Sequence, residues 1–257
     1  MAGKYIDAVF FTRSLDAGLR SAADWRSRPH WPSLCAVCHG WGARRVCADC
    51  VLRFAADVPR CTRCALRVPI GVDLCGACLG DPPPFERSVA AVDYAYPWDS
   101  LITRFKFHAA PDLAPALAQC LADGVARGAA PQPSLLLPEP LSDARLRERG
   151  YNQAWELARR LDRRLRCPAD ARLLLRVKDT PHQIDLPPEQ RAGNVRGAFA
   201  IQPLRIAELR GRVVTLVDDV MTTGATAAEI ARVLLLLAGA AQVQVWSVAR
   251  TPRRGEP

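Results

Sequence analysis

Apolar and polar positions follow two rhythms along this chain. Short runs that are apolar at nearly every position, at Ser88–Tyr96, Leu135–Leu137, Leu173–Val177, Ala198–Ile201, Val213–Val217 and Val243–Val248, predict buried strands. Between them, apolar residues spaced three and four apart predict helices over Trp98–Phe105, Leu113–Arg127, Tyr151–Leu165 and Ala225–Leu237. Strands that alternate with helices in this way predict an α/β domain with a parallel sheet, whose ligands bind at the carboxyl ends of the strands. The stretch Lys178–Arg196 follows neither rhythm and predicts an irregular segment. Residues 1–34 carry scattered apolar positions (Phe10, Leu15, Leu19, Trp25, Trp31) and read as an N-terminal extension with a short amphipathic helix. Pro82, Pro83 and Pro84 continue neither strand nor helix, so 81–87 reads as a stiff Pro-rich linker and 88–257 as the α/β domain.

With 257 residues, 49% hydrophobic and 24% charged, the chain has material for one sizeable core and a small extra module, which excludes disorder as its main state. The longest aliphatic run, Val233–Ala241, is about half of what a bilayer-spanning helix needs. The first residues lack the apolar stretch of a signal peptide, so a cytoplasmic location without membrane insertion is expected. The net charge is +9, and of the 35 basic residues only Lys4, Lys106 and Lys178 are lysine. Arginine suits planar, bidentate contact with phosphate and carboxylate. A compositional bias toward arginine on solvated faces gives the same count, so charge permits phosphate-bearing partners without identifying them.

Eight of the ten cysteines form four Cys-x-x-Cys pairs: Cys35/Cys38, Cys47/Cys50, Cys61/Cys64 and Cys75/Cys78. Two thiolates at this spacing chelate one tetrahedral Zn²⁺, and a second pair completes its shell. Eight, ten and ten residues separate the pairs, which favours two successive Cys₄ sites over an interleaved arrangement, although both remain open. Residues 35–80 therefore read as a double zinc ribbon, and a closed Cys₄ shell, having no open position, is structural. His30 and His39 lie beside the module and are not expected to be ligands. Cys120 and Cys167 stand alone and are expected to be buried as small hydrophobes.

The most informative segment runs from Val213 to Thr226: a buried strand that stops at Asp218 and Asp219, then a hydroxyl-rich turn, then a helix. Backbone N–H groups at that helix's start, with the hydroxyls of Thr222, Thr223 and Thr226, suit a phosphate. Gly224 lets the backbone approach a ligand closely. The paired acids suit a vicinal diol. Neither Gly-x-x-x-x-Gly-Lys-Ser/Thr nor Gly-x-Gly-x-x-Gly is present.

This segment resembles the ribose-phosphate loop of type I phosphoribosyltransferases, which bind phosphoribosyl pyrophosphate (PRPP). The resemblance widens to the ComF family through the eight cysteines, Lys106-Phe107, the stretch from Pro138-Glu139-Pro140-Leu141 to Tyr151-Asn152-Gln153, and the block from Arg176 to Phe199. ComF proteins are double-zinc-ribbon, phosphoribosyltransferase-like proteins associated with natural competence for DNA uptake. The resemblance implies a type I phosphoribosyltransferase fold, a parallel sheet flanked by helices with a hood, preceded by the Cys₄ double zinc ribbon. It implies PRPP with Mg²⁺ held by Asp218, Asp219, Thr222, Thr223, Gly224, Ala225 and Thr226. Arg145, Arg147 and Arg149 would meet the pyrophosphate and carry catalysis, and the hood, Lys178–Arg196, would contribute Gln183, Arg191 and Asn194. His182, inside the hood, is not expected to take part. Two departures from related patterns stand out. Glu139 replaces a small apolar residue, and Thr222 stands where purine-salvage members place an acidic base.

Two functions follow from the resemblance. One is transfer of phosphoribosyl to an unidentified acceptor, in DNA uptake or nucleotide metabolism. The other is a non-catalytic module that binds PRPP or single-stranded DNA among the competence proteins. Trp41 and Trp98 are candidates for stacking on bases, with core packing expected for at least one of them, and Arg44 and Arg45 are candidates for contact with the DNA backbone.

Overall fold

The computed structural model describes residues 32–128, 130–178 and 193–253. Two small Cys₄ modules come first. One contains the ladder of β1 (Ser33–Leu34) with β2 (Trp41–Gly42) and the helix α1 (Ala48–Phe54). The other closes on the short helix α2 (Gly76–Gly80).

Next come β3 (Arg87–Asp93), α3 (Trp98–Phe107), α4 (Ala114–Arg127), β4 (Leu135–Pro138), α5 (Asp143–Arg149) and α6 (Gln153–Leu165). The chain continues through β5 (Leu174–Arg176), β6 (Phe199–Ile201), β7 (Val213–Met221), α7 (Ala225–Arg232, prolonged by a π-turn at Val233–Leu237) and β8 (Gln242–Arg250). Four strands form a parallel sheet in the order β3-β8-β7-β4, while β5 and β6 make a separate antiparallel pair. This is the parallel α/β sheet, preceded by two Cys₄ modules, that the alternation of elements predicts.

Both faces of the sheet are covered, which is why its strands are apolar throughout. On one face α3, α4 and α6 pack Leu101, Phe105, Leu117, Leu121, Leu157 and Leu161 against Val217, Trp246 and Val248. On the other, Ile230 and Leu234 join Leu174, Phe199 and Ile201 over Val214, Leu216, Val243 and Val245. Cys120 and Cys167 are buried as expected. No helix among the described residues is long and apolar enough to cross a membrane.

Three features depart from the sequence pattern. β7 does not stop at Val217: its ladder with β8 continues to Met221 opposite Arg250, so both acids lie inside the strand. Asp219 is only 4% exposed. Trp98 cannot stack on bases, because it is 2% exposed and its indole N–H donates to Phe54 O at 2.7 Å. Phe85, within the Pro-rich segment, is 1% exposed and belongs to the core beneath α7. The segment is docked by Arg63, which donates to the carbonyls of Pro83 and Phe85. The N-terminal extension up to Trp31, with His30, lies outside the described residues.

The approach of α4 to β3 depends on Gly124, where a Cβ would sit 2.9 Å from the Ala91 Cα. Intrinsic preference favours Ala over Gly in a helix by about 1 kcal/mol. The clash is with backbone, which cannot swing away, so Gly124→Ala is expected to destabilise the fold by about 1–3 kcal/mol. Urea unfolding measures it, and a stabilised variant would show that the close approach is not tight.

Candidate ligand site

The cavity opens at the carboxyl end of the sheet, about 200 Å³ in volume, between the ends of β4 and β7 and the start of α7. Its wall is built from parts distant in sequence. β7 delivers Asp218 and Asp219; the end of α3 delivers Lys106 and Phe107; the segment after β4 delivers Glu139 and Leu141. α5 contributes Arg145 and Arg149, β5 contributes Arg176, and the β7–α7 turn contributes Thr222, Gly224, Ala225 and Thr226.

Local sequence sets each of these parts. Ser142 caps α5 by accepting the N–H of Arg145 at 3.5 Å, and Gly150, at φ 76°, ends it. Asn152 caps α6 through the N–H of Trp155 and donates to Glu139 O at 2.9 Å, tying the β4 segment to α6. Arg149 is steadied by Gln153 Oε1 at 3.2 Å and lies over the Phe107 ring at 4.8 Å. Tyr151 donates to the carbonyl of Phe105, holding the end of α3 against α6. Gly224 adopts φ 79°, and a Cβ there would meet Met221 Sδ at 3.7 Å and Phe85 at 3.8 Å. The backbone turn is therefore pressed onto the core and leaves its open side to the cavity.

Charge dominates the interior. Lys106 Nζ pairs with Asp219 Oδ1 at 2.8 Å. Burial opposes the Lys106 charge, but Asp219 and Asp218 outweigh it and hold the ammonium above its usual range. Asp218 is pushed well above the usual carboxylate range by burial and by the charges of Glu139 and Asp219. Burial likewise raises Glu139 to about 7, against the pull of Arg176. Crowded, partly uncompensated carboxyls beside several cations fit a ligand that brings hydroxyl donors, anionic oxygens and a divalent cation together.

Of the residues singled out in the sequence, Asp218, Asp219, Thr222, Gly224, Ala225, Thr226, Arg145 and Arg149 meet at this cavity. Arg147 does not. Residues four apart share a helix face and residues two apart do not, so α5 turns Arg145 and Arg149 inward and leaves Arg147 exposed. Thr223 is exposed and its hydroxyl accepts the N–H of Ala225, two residues on, at 3.3 Å. Asn194 is half-buried and does not line the cavity. Gln183 and Arg191, with His182, lie outside the described residues. The sequence reading assigned no role to Lys106, Glu139 or Arg176. All three appear there within family-like motifs, Glu139 also as a departure from the family pattern.

The eight paired cysteines form two quartets, Cys35/Cys38/Cys47/Cys50 and Cys61/Cys64/Cys75/Cys78, each with its sulfurs within 4.8 Å of one another. The arrangement is sequential, and His39 belongs to neither. Burial would raise the Cys35 thiol, but the amides of Cys38, Cys47 and Val37 outweigh it and bring it to about 6. In the second quartet Cys75 falls to about 7, chiefly because the Cys38-equivalent amide, that of Cys78, offsets burial. Four sulfurs converging within 4.8 Å fit a tetrahedral, thiophilic metal ion in each module.

A parallel α/β sheet with a ligand turn after a central strand, preceded by two Cys₄ modules, defines the class of protein. No family model matches the chain. The chain is 37% identical over 231 residues to DNA utilization protein YhgH of Escherichia coli (strain K12), covering 86% of this chain and 98% of that protein. The protein of the same name in Salmonella typhi is 37% identical over 230 residues, with the same coverage. Competence protein F of Haemophilus influenzae is 34% identical over 209 residues, 80% of this chain and 90% of that one. Among solved structures, adenine phosphoribosyltransferase from Leishmania donovani aligns over 56% of this chain and 55% of its own, with 21% identity and a TM-score of 0.33. The chain belongs to the ComF family, that of these competence and DNA utilization proteins.

Because folding holds Glu139 neutral far above its ordinary 4.5, its ionisation destabilises the ligand-free fold increasingly as pH rises from about 4.5 through about 7. Glu139→Gln is therefore expected to match the parent near pH 5 and to melt higher near pH 8, by roughly 2–4 °C per kcal/mol relieved. Thermal scans at both pH values decide it, and a lower Tm near pH 8 would contradict the assigned environment.

Proposed function

We propose that this chain binds PRPP together with Mg²⁺ in the cavity at the end of β7, as a cytoplasmic phosphoribosyltransferase-family protein serving DNA uptake or nucleotide metabolism. The observation that carries the reading is the pairing of two carboxylates near the end of β7 with a Gly-Thr turn at a helix start, facing Lys106, Arg145, Arg149 and Arg176 across one cavity. Asp218 and Asp219 accept from the ribose hydroxyls. The turn from Thr222 to Thr226 takes the 5′-phosphate through its amides and hydroxyls. The cations face the pyrophosphate end, where guanidinium forks match paired anionic oxygens. Asp218 and Asp219 would hold Mg²⁺ in this cavity, where it would supply Lewis-acid stabilisation of the charge that develops on the pyrophosphate. The protein's own part is to align the anomeric carbon and to stabilise charge without a protein nucleophile. Release of pyrophosphate from PRPP in the presence of acceptors marks a transferase, and binding without release marks a non-catalytic module.

Single-stranded DNA is a second reading, supported by the first Cys₄ module, where Trp41 is 75% exposed beside the exposed Arg44. Arg45 is engaged elsewhere, donating to Asp112 at 2.6 Å and to Leu34 O at 2.7 Å. The names of the relatives, DNA utilization and competence proteins, point the same way.

The two quartets are proposed to hold two structural Zn²⁺ ions. Elemental analysis of protein purified under reducing conditions is expected to give two zinc per chain, and one per chain would overturn the assignment of two sites. For the ligand cavity, Asp218→Asn is the cleaner variant, since it leaves the Lys106–Asp219 pair intact. PRPP affinity in the presence of Mg²⁺ is expected to fall by about tenfold or more, the worth of a hydrogen bond to a charged group, with no loss of Tm. Calorimetric titration reads it, and unchanged affinity removes Asp218 from the ribose site.

A further inference from the structure

The second Cys₄ module grips the sheet at its carboxyl end, where the ligand turn lies. Arg60 pairs with Asp93, the last residue of β3, at 2.7 Å, and Arg67 contacts the same carboxylate. Arg60 also donates to Ala65 O at 3.1 Å, and Ala65, fully buried, shares a core with Phe85 and Met221.

The link to the turn is one side chain. Arg250, the last residue of β8 and 5% exposed, donates from Nε to the carbonyl of the metal-site residue Cys64 at 2.8 Å. Its Nη1 donates to Met221 O at 3.0 Å, to Thr222 O, and to Thr251 O at 2.9 Å. One guanidinium thus joins the backbone of the second quartet to the backbone that forms the ligand turn. Three residues further on, Arg253 donates to Cys75 Sγ at 3.6 Å. The first quartet's module is placed differently: it is held against α3 and the turn before α4, through Trp98 to Phe54 O and Arg45 to Asp112.

We propose that the second Cys₄ module positions the β7–α7 turn through Arg250, so that metal occupancy of the second site, and not of the first, sets how firmly the turn is held and how tightly the cavity takes its phosphate ligand. The part concerning affinity rests on the PRPP reading; the part concerning the turn does not. A guanidinium is needed because its planar fork reaches Cys64 O on one side and the turn carbonyls on the other, which an ammonium does not span. Without Arg250 the carbonyl of Thr222 loses this charged donor and that of Met221 keeps the N–H of Thr251 at 3.1 Å, and a turn so released opens locally. Arg250 is a positioning residue: it does not line the cavity.

The test uses the full-length metal-loaded protein. Hydrogen exchange of amides 222–226 is measured without ligand in the parent, in Arg250→Lys, in the second-site variant Cys64→Ser and in the first-site variant Cys38→Ser, with metal content measured alongside. Arg250→Lys is expected to keep both metals and its Tm within a few degrees, yet to exchange at the turn about tenfold faster. Cys64→Ser is expected to lose one metal and match it, whereas Cys38→Ser loses one metal and leaves exchange at the turn as in the parent. PRPP affinity should then fall in the first two variants only. Unchanged exchange in Arg250→Lys, or equal acceleration in Cys38→Ser, overturns the proposal. Accelerated exchange in a protein that never binds PRPP upholds the coupling and sinks the PRPP reading instead.

Discussion

Two adjacent carboxylates in the buried end of a central strand constrain everything around them. Ionised carboxyls taken from water repel each other and lose hydration, and only nearby cations or a ligand offset this. The fold answers for Asp219 with Lys106, carried by the last turn of α3. Asp218 has no such ion pair among those described, and the approach of Glu139 makes its ionised form less favourable still. The rest of the wall, from Arg145 and Arg149 on α5 to Arg176 on β5, supplies cations at the rim of this acidic centre. Acids beside cations in one cavity are the arrangement on which the proposed PRPP reading rests.

This arrangement makes the Cys₄ modules part of the α/β domain rather than attachments to it. The first buries Val46, Cys35 and Cys50 against the same core as α3 and α4, and through Trp98 it fixes the start of the helix whose last turn carries Lys106. The second places Ala65 and Phe85 in the core beneath the turn. Modules this short have little core of their own, so four sulfur ligands apiece give them a rigidity that apolar burial alone does not supply.

Much of this was legible in the chain, and what was not has a physical reason. The cysteine spacing reports chelation directly, and the strand–turn–helix from Val213 to Thr226 carries its chemistry in consecutive residues. The six strands and four helices that periodicity predicts in the α/β domain are present with their ends shifted by only a few residues, whereas α5, short and almost wholly polar, is not among those predicted. Asp218 and Asp219 read as a strand terminus because charge in a buried strand is unfavourable, and the partner that reverses this, Lys106, comes from a distant element. Arg145, Arg147 and Arg149 look equivalent in sequence, and only the turn of α5 separates two inward residues from one outward. The sequence expects at least one of Trp41 and Trp98 in the core, and only the carbonyl of Phe54 against the Trp98 indole shows which. Arg250 is invisible to pattern, because its partners are backbone carbonyls from separate parts of the chain.

The central claim is that one cavity, at the end of β7, receives PRPP. A crystal structure of the full chain with PRPP and Mg²⁺ tests it most directly. The account requires the ribose hydroxyls on Asp218 and Asp219, the 5′-phosphate on the turn from Thr222 to Thr226, and the pyrophosphate toward Arg145 and Arg149. PRPP bound away from these residues, or the cavity filled by the closure of Arg176 and Glu139 onto one another at saturating PRPP, would contradict it.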